Sequence, residues 1–208
     1  GQKFGESGVI GEEISITNEV MLKGSSKVVL GLVDEKFVVT WEDYGQMSYT
    51  YGLYSKVFDE YGVAKDGVSL VHGSGDGIRK DPSIFKLKDN GYILAWGSES
   101  SYESNIIVQR YSAEGVKVGG YKIANQESNR LKKNAAGFVI SEEEYMVVWE
   151  QVYDDISSIK CQKVSYEGKR VGEEIDITKQ GEGGSEPQVI TLADGSHVIT
   201  WVSNNDGA

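Results

Sequence analysis

The chain is short of the residues that most often carry chemistry or covalent bracing. One cysteine, Cys161, in 208 residues rules out an intrachain disulfide framework, so the redox compartment is not written there. Two histidines, His72 and His197, stand in unrelated positions and make no metal cluster of the usual spacing. No stretch approaches the ~18 apolar residues of a membrane span, and no secretory leader is visible. The opening Gly1, in place of Met, reads as the start of a processed or excised piece. Positive charge is scarce: 21 Lys and Arg against 32 Asp and Glu give a net charge of −11, which argues against a nucleic-acid or anionic-membrane surface, as the lack of an apolar span argues against membrane insertion. That acidity reads as solubility or as cation binding.

What the chain has is repetition. Phe37-Val38-Val39-Thr40-Trp41 returns as Tyr92-Ile93-Leu94-Ala95-Trp96, Tyr145-Met146-Val147-Val148-Trp149 and His197-Val198-Ile199-Thr200-Trp201. Each copy has the β-branched and aromatic density of a strand buried on both faces. The tryptophans fall 55, 53 and 52 residues apart, a period that marks a repeat architecture. Eleven and nine residues before them stand Leu30 and Leu32, Phe85 and Leu87, Phe138 and Ile140, and Ile190 and Leu192, in strand alternation. Turns at Asp34-Glu35, Asp89-Asn90-Gly91, Glu142-Glu143 and Asp194-Gly195 complete an inner hairpin in each repeat. An outer hairpin follows, with Gln109, Gly115 and Gly119 answered by Gln162, Gly168 and Gly172, and by Gln2, Gly8 and Gly11.

Helical periodicity is absent, so the fold class is all-β. Four-stranded units in tandem predict a four-bladed β-propeller forming one domain. Its blades run over 20–73, 74–126, 127–180, and 181–208 joined to 1–19, so that the two ends share the last blade. An open array and a β-sandwich are the alternatives. The recurring glutamines read as amides that satisfy backbone groups between neighbouring blades. The innermost strands near Leu30, Phe85, Phe138 and Ile190 line a central channel, a possible ion site by analogy with other four-bladed propellers.

The loop after each tryptophan is the candidate ligand site: Glu42, Asp43 and Tyr44; Tyr102 and Glu103; Tyr153, Asp154 and Asp155; Asn205 and Asp206. Carboxylates and amides at equivalent rim positions are calcium ligands. Tyrosines beside acids, with Tyr49 and Tyr51, form a sugar-stacking surface. The plain alternative is that loops are polar because they face water. His197 reads as structural, Cys161 as an inert buried thiol, and His72 as a solvated turn residue. No Ser-His-Asp set has partners. A paired-carboxylate hydrolase ranks last, because the same residue types recur in every copy and no unlike cluster stands out.

Gly195-Ser196-His197-Val198-Ile199-Thr200-Trp201, with Gln109-Arg110-Tyr111 running on to Val118-Gly119, resembles the tandem Gly-x-Phe/Tyr-x-x-x-Trp repeats of large secreted bacterial proteins that carry haemolysin-type calcium segments. The Gly-Gly-x-Gly-x-Asp nonapeptides of such segments are missing here, so no calcium role carries over. The resemblance implies an extracellular or cell-surface setting and a repetitive scaffold; the partners expected are other domains of the same protein or second copies of the chain, with glycans as the ligands the rim tyrosines suggest. The function expected from it is a non-catalytic structural or adhesive module, with a lectin-like propeller as the alternative and no enzyme activity.

Overall fold

In a computed structural model, residues 1–16, 27–31, 36–44, 51–65, 69–72, 77–179 and 182–203 are described. Among them every regular element is a strand. A short hairpin, β1 (Lys3–Gly5) and β2 (Gly8–Ile10), opens the chain. Three four-stranded antiparallel meanders follow. The first is β3 (Lys27–Gly31), β4 (Phe37–Tyr44), β5 (Tyr51–Phe58) and β6 (Ser69–His72). The second is β7 (Ile78–Lys86), β8 (Tyr92–Glu99), β9 (Ser104–Tyr111) and β10 (Lys117–Ile123). The third is β11 (Leu131–Val139), β12 (Glu144–Tyr153), β13 (Ile156–Ser165) and β14 (Arg170–Asp176). A last hairpin is β15 (Ser185–Thr191) with β16 (His197–Val202). The result is a β-propeller-like, all-β fold in which the two terminal hairpins stand as separate two-stranded sheets.

The tryptophan strands sit between two apolar layers. Tyr92, Leu94 and Trp96 of β8 pack against Val38, Leu53 and Val71 of the first sheet. Their alternates Ile93 and Ala95 pack, with Phe85, against Tyr145, Val147 and Trp149 of the third sheet. Val148 then faces Val189 and Ile199 of the last hairpin. Fully burying one such side chain contributes about 1.5–3 kcal/mol. Period-2 alternation with both faces covered is why the pentapeptides lack polar spacing. Ile14 and Ile16 lean on Val39, Trp41 and Phe58, so the opening segment rests on the first sheet.

The amide nitrogens of the repeated glutamines cap carbonyls of their own sheet, and Gln162 Oε1 also accepts Gln126 Nε2, from the segment after the second sheet, at 3.4 Å. Gln109 Nε2 donates to the Val118 and Gly119 carbonyls, and Gln162 Nε2 to those of Val171 and Gly172. The fourth strand bulges there, with Gly119 at φ 68° and Gly172 at φ 73°. The bulge turns carbonyls out of the ladder, and the amide caps them. Gln2 repeats the clamp on Ile10 and Gly11.

Candidate active site

The first strand of three consecutive sheets carries one shared irregularity. The ladder slips between Lys80 and Ser83, between Lys133 and Ala136, and between Ser185 and Gln188. At the slip stand Asp81-Pro82, Asn134-Ala135 and Glu186-Pro187. Asp81, Asn134 and Glu186 hold φ of 54°, 52° and 52°. Asp and Asn tolerate this left-handed region, whereas Glu adopts it at a cost. A following proline fits because its missing N–H is lost only where the ladder is already broken. All three residues line one open cleft of about 390 Å³, whose walls continue through Ile84, Gly137 and Val189. Strained backbone and bulges of this kind gather at functional sites.

Two buried glutamates hold these bulges from behind. Glu42, next after Trp41, accepts the Asp81 N–H of the following sheet. Glu150, next after Trp149, accepts the Glu186 N–H at 3.2 Å, Asn134 Nδ2 at 2.8 Å and Ser157 Oγ at 2.8 Å. Lys133 Nζ lies 3.2 Å from the same carboxylate. Burial pushes the Glu150 pKa up, but the three donors and Lys133 outweigh it and leave the carboxyl below its ordinary range. At Glu42 burial wins: its pKa is raised, with the Asp81 charge adding to the shift, against the Asp81 N–H and Lys80. In the second sheet Gly97 follows Trp96. A Cβ there would stand 3.1 Å from the Lys132 carbonyl oxygen, so the backbone takes the space a glutamate fills elsewhere.

The residues expected at the rim meet different fates. Glu42 is buried behind Asp81 and reaches no rim. Tyr102 is 92% exposed in the β8–β9 loop, and beside it Glu103 Oε2 accepts Asn105 Nδ2 at 3.4 Å. Asp154 and Asp155 hold φ of 46° and 62°, the pair of positive values a two-residue hairpin turn requires. Tyr153 lies under the Arg130 guanidinium, 4.5 Å from ring centroid to charge. The strand registers put these loops at the same end of the sheets as the cleft: Ile78 pairs with Glu99 and Leu131 with Val152. Among the described residues, no three His, Cys, Asp or Glu side chains gather where they could hold a metal ion. Asn205, Asp206 and Tyr49 lie outside the described residues, as do the side chains of Asp43, Tyr44, Tyr51, His72 and Leu30.

Phe85 and Phe138 do not line the cleft. Phe85 packs 5.6 Å from Tyr145 and Phe138 4.2 Å from His197, ring to ring. Alternation turns their predecessors Ile84 and Gly137 to the cleft instead, and in the last hairpin Val189 rather than the exposed Ile190. His197 also contacts Thr191 Oγ1 at 3.0 Å through Nδ1, a structural role. Cys161 is buried, and burial pushes its thiol up to about 11, aided by Asp176 and Glu174. That leaves a thiol rather than a nucleophilic thiolate.

The Asp81, Asn134 and Glu186 column escaped the reading from sequence, although a signal was present. The only two prolines each follow a carboxylate that stands fifteen residues before a tryptophan, and Asn134 stands fifteen before a third. That column differs from copy to copy, Asp then Asn then Glu. The argument that symmetry forbids an unlike constellation therefore fails at the bulge.

No family model matches the chain, and no curated protein matches it. Solved structures do. A thermostable family-43 glycoside hydrolase superposes at TM-score 0.59 with 16% identity, over 84% of this chain and 64% of its own. The endo-arabinase from Bacteroides thetaiotaomicron gives 0.55 and 12%, over 86% and 75%. The GH93 α-L-arabinofuranosidase of Fusarium graminearum, in complex with arabinobiose, gives 0.62 and 15%, over 88% and 58%. The chain thus spans under two thirds of the first and third of these, and the likeness is one of fold. It overturns the resemblance to haemolysin-type repeats and, with it, the expected non-catalytic structural or adhesive module without enzyme activity: the three neighbours named are a glycoside hydrolase, an endo-arabinase and an α-L-arabinofuranosidase.

Proposed function

We propose that this chain is the glycan-cleaving propeller of a glycoside hydrolase, with Asp81 and Glu186 as its pair of carboxylates. The observation that carries the reading is the column Asp81, Asn134, Glu186: three unlike polar residues at positive φ lining one cleft. Glycoside hydrolysis needs one carboxyl group to protonate the leaving oxygen and a second to activate water or attack the anomeric carbon. Asp81 and Glu186 supply the two, and Asn134, anchored through Nδ2 on Glu150, orients the sugar between them. Glu42 and Glu150 touch no substrate; they position the backbone that carries the column. Arabinose-containing polysaccharide is the substrate class, on the strength of the arabinose-cleaving neighbours.

The scaffold proposed is four blades, 20–73, 74–126, 127–180, and 181–208 with 1–19. The Gln2 clamp supports this count, because it gives β1 and β2 the same third-and-fourth-strand device as the second and third sheets. The rim loops with Tyr102, Glu103, Tyr153, Asp154 and Asp155 extend the cleft along a sugar chain. The setting proposed is extracellular or cell-surface, where such polysaccharides are met, with other domains of the parent protein as partners; recovery of the protein from cytosol would refute that setting.

The test is sugar release from linear arabinan by the chain and by its Asp81→Asn and Glu186→Gln variants. Each variant should lose at least about 100-fold in rate while keeping the wild-type melting temperature. Wild-type rates in either variant refute the assignment. Binding of arabinan without cleavage by the unaltered chain refutes the hydrolase reading in favour of a lectin-like one.

A further inference from the structure

The hairpin that carries Glu186 is half a sheet. Among the described residues β15 and β16 pair only with each other, and so do β1 and β2. The free edge of β16, His197-Val198-Ile199-Thr200-Trp201-Val202, holds no charged residue and no proline. The outer edges of the second and third sheets are blunted: β10 bulges and carries Lys117 and Lys122, and β14 bulges and carries Arg170, Glu173, Glu174 and Asp176. An open edge without charge or bulge is a template for another strand. The face beyond that edge is uncovered as well. Ile190 and Val198 stand exposed, whereas their counterparts in the second sheet, Phe85 and Ile93, are buried under the third.

The strand that fits this edge is β1. In the third sheet β12 pairs with β13 through Tyr145↔Val164, Met146↔Lys163 and Val147↔Gln162. β16 is the counterpart of β12, and Gln2 is that of Gln162 by its clamp. The same register sets Phe4 opposite His197, Lys3 opposite Val198 and Gln2 opposite Ile199. Phe4 is 69% exposed and its counterpart Val164 is 0% exposed, so docking gives Phe4 the cover it lacks. Ile16 stands where Ile177 stands in the third sheet, and Ile177 joins Val148 to Val189 and Ile199 of the next sheet. Ile14 and Ile16 already rest on Val39, Trp41 and Phe58. A strand tethered in the same chain meets the edge at an effective concentration that a second copy does not match. Docking also ties the first sheet to the last hairpin. The first sheet holds Asp81 through Glu42, and the third holds Glu186 through Glu150. We propose that β1 and β2 form a strap: docked on β16 it fixes Glu186 relative to Asp81 and turns the cleft on, and undocked, as here, it leaves Glu186 on a two-stranded sheet, a marginal element by itself.

The strap rests on the four-blade and hydrolase readings for its effect on the cleft, and the test separates docking from chemistry. Lys3→Cys combined with Val198→Cys places two thiols opposite each other on one face of the paired strands, near enough for a disulfide. The native Cys161 is buried and stays out of the reaction. Mild oxidation should link the pair within one chain, raise the melting temperature and slow hydrogen exchange at β16. Phe4→Asp costs the undocked fold little, because Phe4 is exposed. It should speed exchange at β16 and lower sugar release from arabinan at least about tenfold, in kcat rather than KM. A disulfide between chains, no disulfide at all, or Phe4→Asp with unchanged exchange overturns the strap. Faster exchange with undiminished sugar release overturns its control of the cleft. An intrachain disulfide with slowed exchange, in a chain that releases no sugar, sinks the hydrolase reading and leaves the docking in place.

Discussion

Glu150 is where packing, charge and the cleft meet, so its removal gives the sharpest test. The carboxylate is 1% exposed and gathers Asn134 Nδ2, Ser157 Oγ, the Glu186 N–H and Lys133 Nζ. Glu150→Ala leaves those donors facing a hole, a case that costs about 3–5 kcal/mol when one member of a buried pair is deleted. For a chain of this size, ~2–4 °C of melting temperature follows each kcal/mol, so the midpoint should fall by about 10 °C. Glu150→Gln keeps the shape and one acceptor oxygen but loses the charge, and should cost about 1.5–3 kcal/mol. The pH dependence supplies an independent check. The folded pKa of Glu150 lies below its ordinary 4.5, so its stabilisation is complete above 4.5 and is lost as pH falls through the lower folded value. Urea unfolding of wild type and Glu150→Gln should therefore draw together as pH falls below 4.5. Parallel curves over that range, or a Gln variant as stable as wild type at pH 7, would refute the claim that this carboxylate holds the bulges in ionised form.

Three further expectations follow from neighbouring residues. Glu42→Gln should raise stability at neutral pH, since burial lifts the folded pKa above 4.5 and the ionised form therefore weakens the fold above that value; the same urea titrations check it, and a loss at pH 7 would contradict the reading. Glu186→Gly should relieve a non-glycine φ of 52°, stabilising the chain by about 1 kcal/mol while abolishing sugar release; a lower midpoint would place the residue in the packing instead. Gln162→Leu should cost about 1–3 kcal/mol by uncapping the Val171 and Gly172 carbonyls, and hydrogen exchange at β14 should rise with it; an unchanged exchange pattern there would show the clamp to be idle.

The parts of the fold readable from sequence were those that packing dictates. Leu94 and Trp96 touch one sheet while Ile93 and Ala95 touch the next, so no position in that pentapeptide is free to be polar, and the period announces itself. Gly119 and Gly172 were legible as recurring glycines, but not as bulges, because nothing local tells a positive φ in a hairpin loop from one inside a strand. The local structure of two rim segments was hidden for the same reason. Asp154 and Asp155 are there to make a tight turn, and Glu42 looks like a loop residue until the Asp81 N–H of the next sheet is seen behind it. That contact spans 39 positions, and no pattern short of the folded chain reports it.

The division between legible and hidden follows from what each column must satisfy. A residue between two sheets is judged by volume and apolarity, and those demands repeat with the scaffold. A residue at the bulge is judged only by whether it accepts a positive φ and tolerates a polar cleft, so it can change from sheet to sheet without disturbing the core. Glycine or asparagine meets that demand at least cost, and Asn134 is such a choice. Glu186 is not: it has no short side chain to ease the left-handed conformation, and it is exposed and touches no core cluster. Its N–H is held by a buried carboxylate that itself incurs a desolvation penalty. A left-handed φ on an exposed glutamate that fills no core is an unfavourable choice for the fold alone, and the proposed role in the cleft accounts for it.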